Sequence, residues 1–556
     1  MILPPTREKL VPWALKLSED CRSSTYERTA MARSLKTWLY TGSPDGNSAI
    51  LNRMFPHVDR MTSYLFSPND LRFHIDFTHE YDKAVLDQAE VASRVLTRQF
   101  ELRDIDIQFG ESVFIALAYG ACFPKLTMTH DGISCRLVMP WKLGVYRPDL
   151  NDLGSQEAIC ETNYITSYDL WRRISHLPNA AALFRRATAY AKRRTSAEDA
   201  DTFFHQVLLA GTPPVVQTDP PFASQPGGLV QVTADPTGAI LGPSVASELI
   251  CLHEIWVLDD ELGDYTTIQM AEPDILIAPQ HRRKNFFIPD HLPYTMTQPN
   301  RMEGYFYGRS EMADLMKLQH LLRDRLEDIK KLMGLQYDRL LAIVGNSGMS
   351  DEQYDQFRQA GWMALEPGSD VKDLTPKMPE QAFADITEIM GFMDEVSGFQ
   401  NILSGQGEPG VRAGNHAQTL LKTASPRLRD RAIIVERQCA DLADTALQLM
   451  AHKEAKAYWT RDGSEFLLSQ LPEDYRVSVD SHSSSPIYEE DHKEIAAFLL
   501  KSGVIDGESV LELLPVPMRD ILKARFKEIQ KAKAQQAQEL LQHPELLKAM
   551  HGGKKH

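Results

Sequence analysis

Residues 111–149 read ESVFIALAYGACFPKLTMTHDGISCRLVMPWKLGVYRPD, and their pattern changes in the middle. The first part, with the two residues before it, is apolar over the length of a helix and stops at Gly120. The second part alternates around Asp131-Gly132, and an Asp-Gly pair is a strong hairpin signal. The stretch therefore predicts a helix followed directly by a β-hairpin, which is a mixed α and β unit.

Helical and β patterns also occur elsewhere in the first half of the chain. Residues 1–105 and 165–205 have a charged, helical composition. Residues 210–245 are rich in Pro, Gly, Thr and Ser, which predicts a long irregular loop. Residues 248–279, ELICLHEIWVLDDELGDYTTIQMAEPDILIAP, alternate in the manner of a β-meander.

A long amphipathic helix is predicted after residue 309, and Ser310 can cap its start. Its apolar residues at helical spacing are Leu315, Leu318, Leu322, Leu326, Ile329 and Met333. A short mixed segment follows, which begins with a predicted strand, LLAIV, over 340–344.

Two further helices are predicted in the second half. One begins at Pro379, because proline is tolerated in the first turn of a helix. Its apolar stripe is expected to pack between helices or between subunits and consists of Phe383, Ile386, Ile389, Met390 and Met393. The other starts after Asn415, and Pro426 should kink it. A strand pair is expected within 457–486, and helices beyond it.

The composition limits the class of protein. A chain of 556 residues with 43% hydrophobic and 24% charged residues is long enough for several domains and ordinary for a globular protein. No run of about eighteen apolar residues occurs, and prolines and charges fill the N-terminal stretch, so neither a membrane span nor a secretory leader is expected. The six cysteines lack zinc-ligand spacing and are expected to be buried or free thiols in a reducing compartment. The net charge of −16 argues against tight binding of nucleic acid by the chain as a whole.

Residues 404–414, SGQGEPGVRAG, match the G-x-G-x-x-G spacing of a dinucleotide-binding loop. That fingerprint needs a preceding strand, whereas a helix is predicted here, and Glu408 and Pro409 would place a negative charge and a missing N–H at the phosphate. Val411 and Arg412 also replace the Lys and Ser/Thr of a phosphate loop. A flexible loop between two antiparallel helices fits better, and a loop this long is usually functional.

The sequence shows no catalytic constellation. It contains no G-x-S-x-G elbow and no convincing Cys/His pair. His74 and His79-Glu80 lack the H-E-x-x-H spacing of a zinc site. We therefore expect no enzyme activity, no metal and no cofactor.

Four stretches, taken in order, resemble the portal protein of tailed double-stranded DNA bacteriophages. Residues 111–149 resemble its wing, in which a helix, a glycine and strands follow one another. Residues 291–329, HLPYTMTQPNRMEGYFYGRSEMADLMKLQHLLRDRLEDI, resemble the passage from the wing into the first stem helix. Residues 366–379, EPGSDVKDLTPKMP, resemble the exit from the clip, and residues 494–514, EIAAFLLKSGVIDGESVLELL, the C-terminal crown. Their order and spacing over roughly 50–530 carry the resemblance.

The resemblance implies a mixed α+β, helix-dominated portal fold. This fold has a β-rich wing, a two-helix stem, a small α/β clip, a long kinked helix and a helical crown. The implied segments are the N-terminal arm 1–45, the wing 46–308, the first stem helix 309–338, the clip 339–376, the second stem helix 377–398, the tunnel loop 399–414, the long kinked helix 415–456, the wing return strands 457–486, and the crown and tail 487–556.

The resemblance also implies a function. Portal subunits form a homo-oligomeric ring, usually of twelve copies, which is assembled in the host cytoplasm and lies at one capsid vertex of the virion. DNA passes through the channel of the ring during packaging and ejection. The implied partners are the terminase large subunit, the head–tail adaptor, the major capsid and scaffolding proteins, and double-stranded DNA contacted without sequence specificity. No membrane partner is implied.

Two groups of candidate site residues follow from the resemblance. The tunnel loop and the next helix would face DNA through Gln400, Asn401, Gln406, Arg412 and Lys422. The clip would face terminase or adaptor through Asp351, Glu352, Asp355, Arg358 and Trp362. For the charged clip residues a solvated helix face is the alternative, and for Trp362 a local core.

A cluster of arginines follows Pro426 and allows two interpretations. The cluster consists of Arg427, Arg429, Arg431 and Arg437. These side chains would either contact DNA or a neighbouring subunit, or form a solvated face paired with Asp430 and Glu436 on the same helix.

Two other classes of protein remain open. An ATPase or nuclease of the packaging machine would need a phosphate loop or a carboxylate metal cluster, and the sequence shows neither. A cytosolic helical scaffold or adaptor would be a monomer in solution, and the β-rich region and the 399–414 loop argue against it.

Overall fold

The computed structural model describes residues 1–43, 51–197, 249–344, 370–397 and 426–479, with short gaps inside these ranges and a few short pieces elsewhere. Within this part of the chain the fold is mixed α and β, with long helices and several small sheets. None of the helices in the described residues combines the length and the apolar composition needed to cross a bilayer.

Long helices dominate the described part of the chain. They are α1 (Arg7–Ser23), α2 (Tyr26–Thr41), α3 (Met54–Leu65), α4 (Lys83–Leu102), α5 (Ile105–Tyr119), α6 (Ser167–Ile174), α7 (Ala180–Ala197), α8 (Met312–Tyr337), α9 (Ala382–Ser397) and α10 (Pro426–Lys453).

The strands are shorter. They are β1 (Phe73–Phe77), β2 (Phe123–Thr129), β3 (Gly132–Val138), β4 (Leu143–Val145), β5 (Ala158–Ile165), β6 (Ile250–Asp259), β7 (Asp264–Ala271), β8 (Ile275–Ala278), β9 (Leu341–Val344), β10 (Asp370–Asp373), β11 (Ala457–Trp459), β12 (Glu465–Leu467) and β13 (Tyr475–Val479).

The largest sheet in the described residues, which we call the central sheet, has five antiparallel strands in the order β4-β5-β6-β7-β8. The meander predicted over 248–279 is confirmed by the pairing of β6 with β7 and of β7 with β8. In β6, Ile255 and Val257 pack on the side of α1, whereas Ile250 and Leu252 pack on the side of α6 and α7. Since successive side chains of a strand point to opposite faces, the sheet is buried on both sides.

The N-terminal segment covers one face of this sheet. Helix α1 packs directly on β5 and β6, and the Met1 amine donates a hydrogen bond to the Leu258 carbonyl at 2.7 Å. The buried side chains of α1 recur at helical spacing and are Leu10, Ala14, Leu17, Ser18 and Cys21.

The helix and hairpin predicted for residues 111–149 are confirmed. Helix α5 ends at Tyr119, and β2 pairs with β3 so that Thr129 lies opposite Gly132. The hairpin and α5 belong to the main hydrophobic core, which also takes in α2, α3, α4, α8, α9 and α10.

One strand of the pair predicted within 457–486 is present as β13, with the sequence YRVSV, but its partner is distant in sequence. β13 pairs antiparallel with β1, with Phe73 opposite Val479. β11 and β12 form a separate hairpin. The β-structure within 457–486 is therefore a hairpin followed by a strand that returns to the N-terminal part of the chain.

The kink predicted at Pro426 is not tested by the described residues. The described part of the third long helix begins at this residue, and residues 415–425 lie outside the described ranges. The irregular loop predicted over 210–245 and most of the predicted crown also lie outside them.

Candidate functional site

Most of the predicted site residues fall outside the described part of the chain. This holds for all the predicted channel residues, Gln400, Asn401, Gln406, Arg412 and Lys422. It also holds for the clip residues Asp351, Glu352, Arg358 and Trp362. Asp355 is described, and its side chain is exposed. The structure does describe the helices and strands from which both predicted segments extend.

Two glycines form the passage into α8 from the sheet-rich body, which is our name for the central sheet, the β2-β3 hairpin and the helices packed on them. Gly120 follows α5 with φ 99°, and Gly308 precedes α8 with φ 65°. A Cβ on Gly308 would lie 2.7 Å from the Gly120 carbonyl oxygen, and a Cβ on Gly120 would lie 2.8 Å from that of Tyr307. The Arg28 guanidinium from α2 donates to the carbonyls of Gly308 at 2.5 Å and Tyr119 at 3.4 Å. Positive φ and the close approach of two backbones both require glycine here.

The start of α8 is fixed to the end of α5. Ser310 Oγ donates to the Ala118 carbonyl at 2.6 Å and accepts the Met312 N–H at 3.2 Å, which confirms the predicted cap. The Glu311 N–H donates to the Leu117 carbonyl at 2.8 Å. The direction in which α8 leaves the body is therefore set by backbone contacts.

The Glu311 carboxylate joins α8 to α10. It accepts a hydrogen bond from Asn300 at 2.8 Å and pairs with Arg431 of α10 at 3.0 Å. Burial raises the pKa of Glu311, but the contacts with His57, Arg431 and Asn300 outweigh burial and lower it to about 2. Arg431 is thus paired with a carboxylate on another element rather than with the acids of its own helix that the sequence suggested.

Helices α8 and α9 pack side by side and run antiparallel. Leu315, in the first turn of α8, and Met393, near the end of α9, line the same groove together with Arg53 and Asp394. Beyond the opposite ends of the helices, β9 pairs antiparallel with β10. We call α8, β9, β10 and α9 the two-helix unit.

Arg53, which precedes α3, holds the last turns of α9. Its guanidinium donates to the Met390 carbonyl at 3.2 Å and to Asp394 Oδ1 at 2.9 Å. Its own N–H donates to Gln319 Oε1 of α8 at 3.2 Å. This residue therefore fixes the end of α9 to the body next to the point where the predicted tunnel loop begins.

Helix α9 carries more apolar side chains than α8 covers. Of the predicted stripe, Ile386, Ile389 and Met393 are buried and Met390 is partly buried, but Phe383 is 60% exposed. For Phe383, packing between helices of one chain does not hold, and packing between subunits stays a prediction. Phe392 and Val396 are 46% and 43% exposed. At about 100° per residue, Phe383 lies on one flank of the buried stripe and the other two lie on the opposite flank. We call these the apolar flanks of α9.

The burial of α8 follows its predicted stripe with one exception. Leu315, Leu322 and Ile329 are buried, and Leu318 and Leu326 are partly buried against the core. Met333, near the end closest to β9, is exposed. Packing within the chain therefore weakens toward the end of the helix that is closest to β9.

A buried ionic network in the central sheet was missed by the sequence analysis. Glu161 of β5 accepts hydrogen bonds from Lys125 and Tyr294, both at 2.7 Å, and pairs with Arg136. Lys125 also bonds Glu254 at 2.5 Å. Burial raises the pKa of Glu161, but Lys125 and Arg136 outweigh burial and lower it to about 2. Two cations balance two anions. The signal available in the sequence was a charged residue inside each of four strands, β2, β3, β5 and β6.

A second polar group lies on the other face of the same sheet. Cys251 Sγ lies 3.6 Å from His253 Nε2, which lies 3.3 Å from Glu272 Oε1. The other ring nitrogen of His253 is 3.3 Å from Thr162 Oγ1. We call these three residues the Cys-His-Glu cluster. A search for C-x-x-C spacing does not detect this cluster. Cys251 and His253 are two residues apart in a strand, and side chains at that spacing lie on the same face.

Comparisons with known proteins find distant structural similarity. No protein-family model matches the sequence, and no curated protein matches it. A chain in the virion of a native gene transfer agent particle is similar, with a TM-score of 0.39 and 12% identity over 87% of this chain and 93% of that chain. At this TM-score the similarity carries no argument about the function of the chain.

Proposed function

We propose that the chain is a bacteriophage portal protein, a non-enzymatic subunit of a ring at one vertex of the capsid. The ring is the channel for DNA packaging and ejection. It binds the terminase large subunit first and the head–tail adaptor afterwards. A separate ATPase supplies the energy, and capsid and scaffolding proteins surround the ring.

The observation that carries this proposal is the pair of apolar flanks of α9. A surface helix of a globular protein usually buries one apolar stripe and exposes a polar face. Helix α9 uses its central stripe within the chain and still exposes Phe383 on one side and Phe392 and Val396 on the other. Apolar surface on two opposite sides suits a subunit with one neighbour on each side, as in a closed ring.

The order of the elements supports the same proposal. The chain passes from a sheet-rich body into α8, then through β9 and β10, and back along α9 toward the body. The start of α8 is fixed by Glu311 and the end of α9 by Arg53, so both helices are held at the body. The segments that extend from the two ends of this unit are the ones proposed to meet terminase or adaptor and to face DNA.

The charge of the chain suits a channel that releases what passes through it. A ring of twelve copies would carry a formal charge of 12 × −16 = −192. Such a ring gains little from the phosphate contacts that give most nucleic-acid-binding proteins their affinity. Sequence-independent passage of DNA, guided locally by residues such as Arg412 and Lys422, is the proposed result.

Electron microscopy with a matched pair of variants tests the proposal. The purified wild-type chain is imaged by negative stain and weighed by mass photometry, beside Phe392→Asp and Ala384→Asp. Ala384 is an exposed residue of α9 away from the flanks, so its variant controls for the added charge. We expect rings of about twelve subunits from the wild type and Ala384→Asp, and mainly monomers from Phe392→Asp.

Two results would contradict the proposal. A wild-type chain that stays monomeric at all concentrations would favour the cytosolic scaffold or adaptor. Rings that form equally well with Phe392→Asp would show that the apolar flanks are not the surface between subunits.

A further inference from the structure

We infer that the Cys-His-Glu cluster is a binding site for one divalent transition-metal ion, with zinc the best match to its ligands. Thiolate, imidazole and carboxylate together form a borderline-soft ligand set, which zinc prefers over calcium or magnesium. The inference is independent of the proposed portal function, because the cluster lies in the central sheet and not in the two-helix unit.

Two of the three distances between the donor atoms match the edges of a tetrahedral zinc site. Zinc bonds of about 2.3 Å to sulfur and 2.0–2.1 Å to nitrogen or oxygen place Sγ and N about 3.5 Å apart and N and O about 3.3 Å apart. The observed separations are 3.6 Å for Cys251 Sγ to His253 Nε2 and 3.3 Å for His253 Nε2 to Glu272 Oε1. All three donor atoms lie within 4.8 Å of one another.

The same distances suit hydrogen bonding less well. A charge-assisted N–H···O bond is usually about 2.7–2.9 Å long, so 3.3 Å is long for a carboxylate and an imidazole that could move closer. A single Nε2–H directed at both the thiol and the carboxylate would be a bifurcated hydrogen bond. A shared ion accounts for both contacts of this nitrogen.

The sheet backbone holds the ligands in place. Cys251 and His253 point to the same face of β6, and the Glu272 N–H donates to the Cys251 carbonyl at 3.0 Å. Thr162 Oγ1, 3.3 Å from His253 Nδ1, can accept the Nδ1–H and leave the Nε2 lone pair directed at the cluster. The ligands are therefore positioned before an ion arrives.

The charges balance when a divalent ion is bound. A Cys251 thiolate and the Glu272 carboxylate neutralise a 2+ ion, which suits a position where Cys251 and His253 are almost fully buried. The Arg22 guanidinium lies 3.8 Å from Glu272 Oε1 and forms an ion pair with the same carboxylate. With three protein ligands, the fourth tetrahedral position is left for water.

Cobalt is the probe for this site, because its spectrum reports both geometry and the thiolate ligand. The full-length chain is stripped with a chelator, reduced, and titrated with Co²⁺ without oxygen. We expect visible d–d bands of a tetrahedral site and a thiolate-to-cobalt charge-transfer band that saturate near one ion per chain. Zn²⁺ should displace the cobalt and abolish both sets of bands.

Variants assign the bands to the cluster. Cys251→Ser should remove the charge-transfer band, and His253→Gln should weaken binding by at least about 10-fold, since even outer-shell changes cost that much. Cys439→Ser is the control, because it removes an equally buried thiol from α10 and should leave the spectrum unchanged. The inference is overturned if the folded wild type gives no thiolate band, or if the band survives in Cys251→Ser. The wild-type spectrum decides even if a variant fails to fold.

Discussion

The sheet-rich body and the two-helix unit bury their surfaces in different ways. In the body, helices of the same chain cover both faces of the central sheet, and even the fully buried Glu161 is paired. In the two-helix unit, α8 covers only the central stripe of α9, and Phe383 and Phe392 stay exposed. The body therefore buries its apolar surface within its own chain, whereas the two-helix unit leaves apolar surface exposed.

The largest effect is expected in the body. Glu161→Ala should lower the free energy of unfolding by about 3–5 kcal/mol, because it leaves the buried Lys125 ammonium with an incomplete set of anions. Urea unfolding measures the change, at a concentration where the chain is monomeric. Glu101→Ala removes an exposed ion pair with Arg98 on α4 and should change the stability by less than about 1 kcal/mol.

A double variant sharpens this prediction. Replacing Lys125 with Met in the Glu161→Leu background removes one cation and one anion of the network, and similar replacements of buried ion pairs are often close to neutral. We expect the double variant to be more stable than Glu161→Ala. If both single and double changes are harmless, the network does not hold the sheet together, and the contrast with the two-helix unit disappears.

The second prediction compares two apolar residues of α9. Ile389→Ala should cost about 2–5 kcal/mol, because Ile389 is buried against α8. Phe392→Ala should change the stability of the monomer by no more than about 0.5 kcal/mol, because its ring is half exposed. Urea unfolding of the two variants gives both values. Equal losses would mean that Phe392 already packs within its own chain.

The sequence predicted local elements better than long-range partners. The helix and hairpin around Gly120 and the meander of β6 to β8 follow from periodicity and turn chemistry, which depend on neighbours in sequence. The pairing of β13 with β1 does not, because nothing in YRVSV identifies a partner near the start of the chain. The packing of α1 could have been found from the spacing of Leu10, Ala14 and Leu17.

In the candidate site, too, features set by neighbours in sequence were predictable and features set by long-range contacts were not. Apolar spacing identified the helices of the two-helix unit. It could not show which apolar residues the chain itself would cover, so it left open whether Phe383 packs between helices or between subunits. The Cys-His-Glu cluster joins residues of two strands, and only their register brings Glu272 beside Cys251. A linear motif search has no access to register.

The third prediction concerns the joint between the two regions, where Gly120 and Gly308 meet. Gly308→Ala adds a Cβ within 2.7 Å of the Asn300 and Gly120 carbonyl oxygens, which are backbone atoms and cannot rotate away. Gly304→Ala is the matched control, since Gly304 has φ 67° and nothing within 4 Å of the added Cβ. Both variants bear the cost of an alanine at positive φ, about 1–2 kcal/mol, so their difference isolates the close contact.

We expect Gly308→Ala to be less stable than Gly304→Ala by about 1–3 kcal/mol, the usual cost of overpacking. Thermal unfolding of the two proteins side by side measures the difference. Equal midpoints would show that the joint can open to admit a methyl group, and the direction of α8 would then not be fixed by this contact. A clearly lower midpoint for Gly308→Ala would show that the body sets the direction of α8 through backbone packing within one chain.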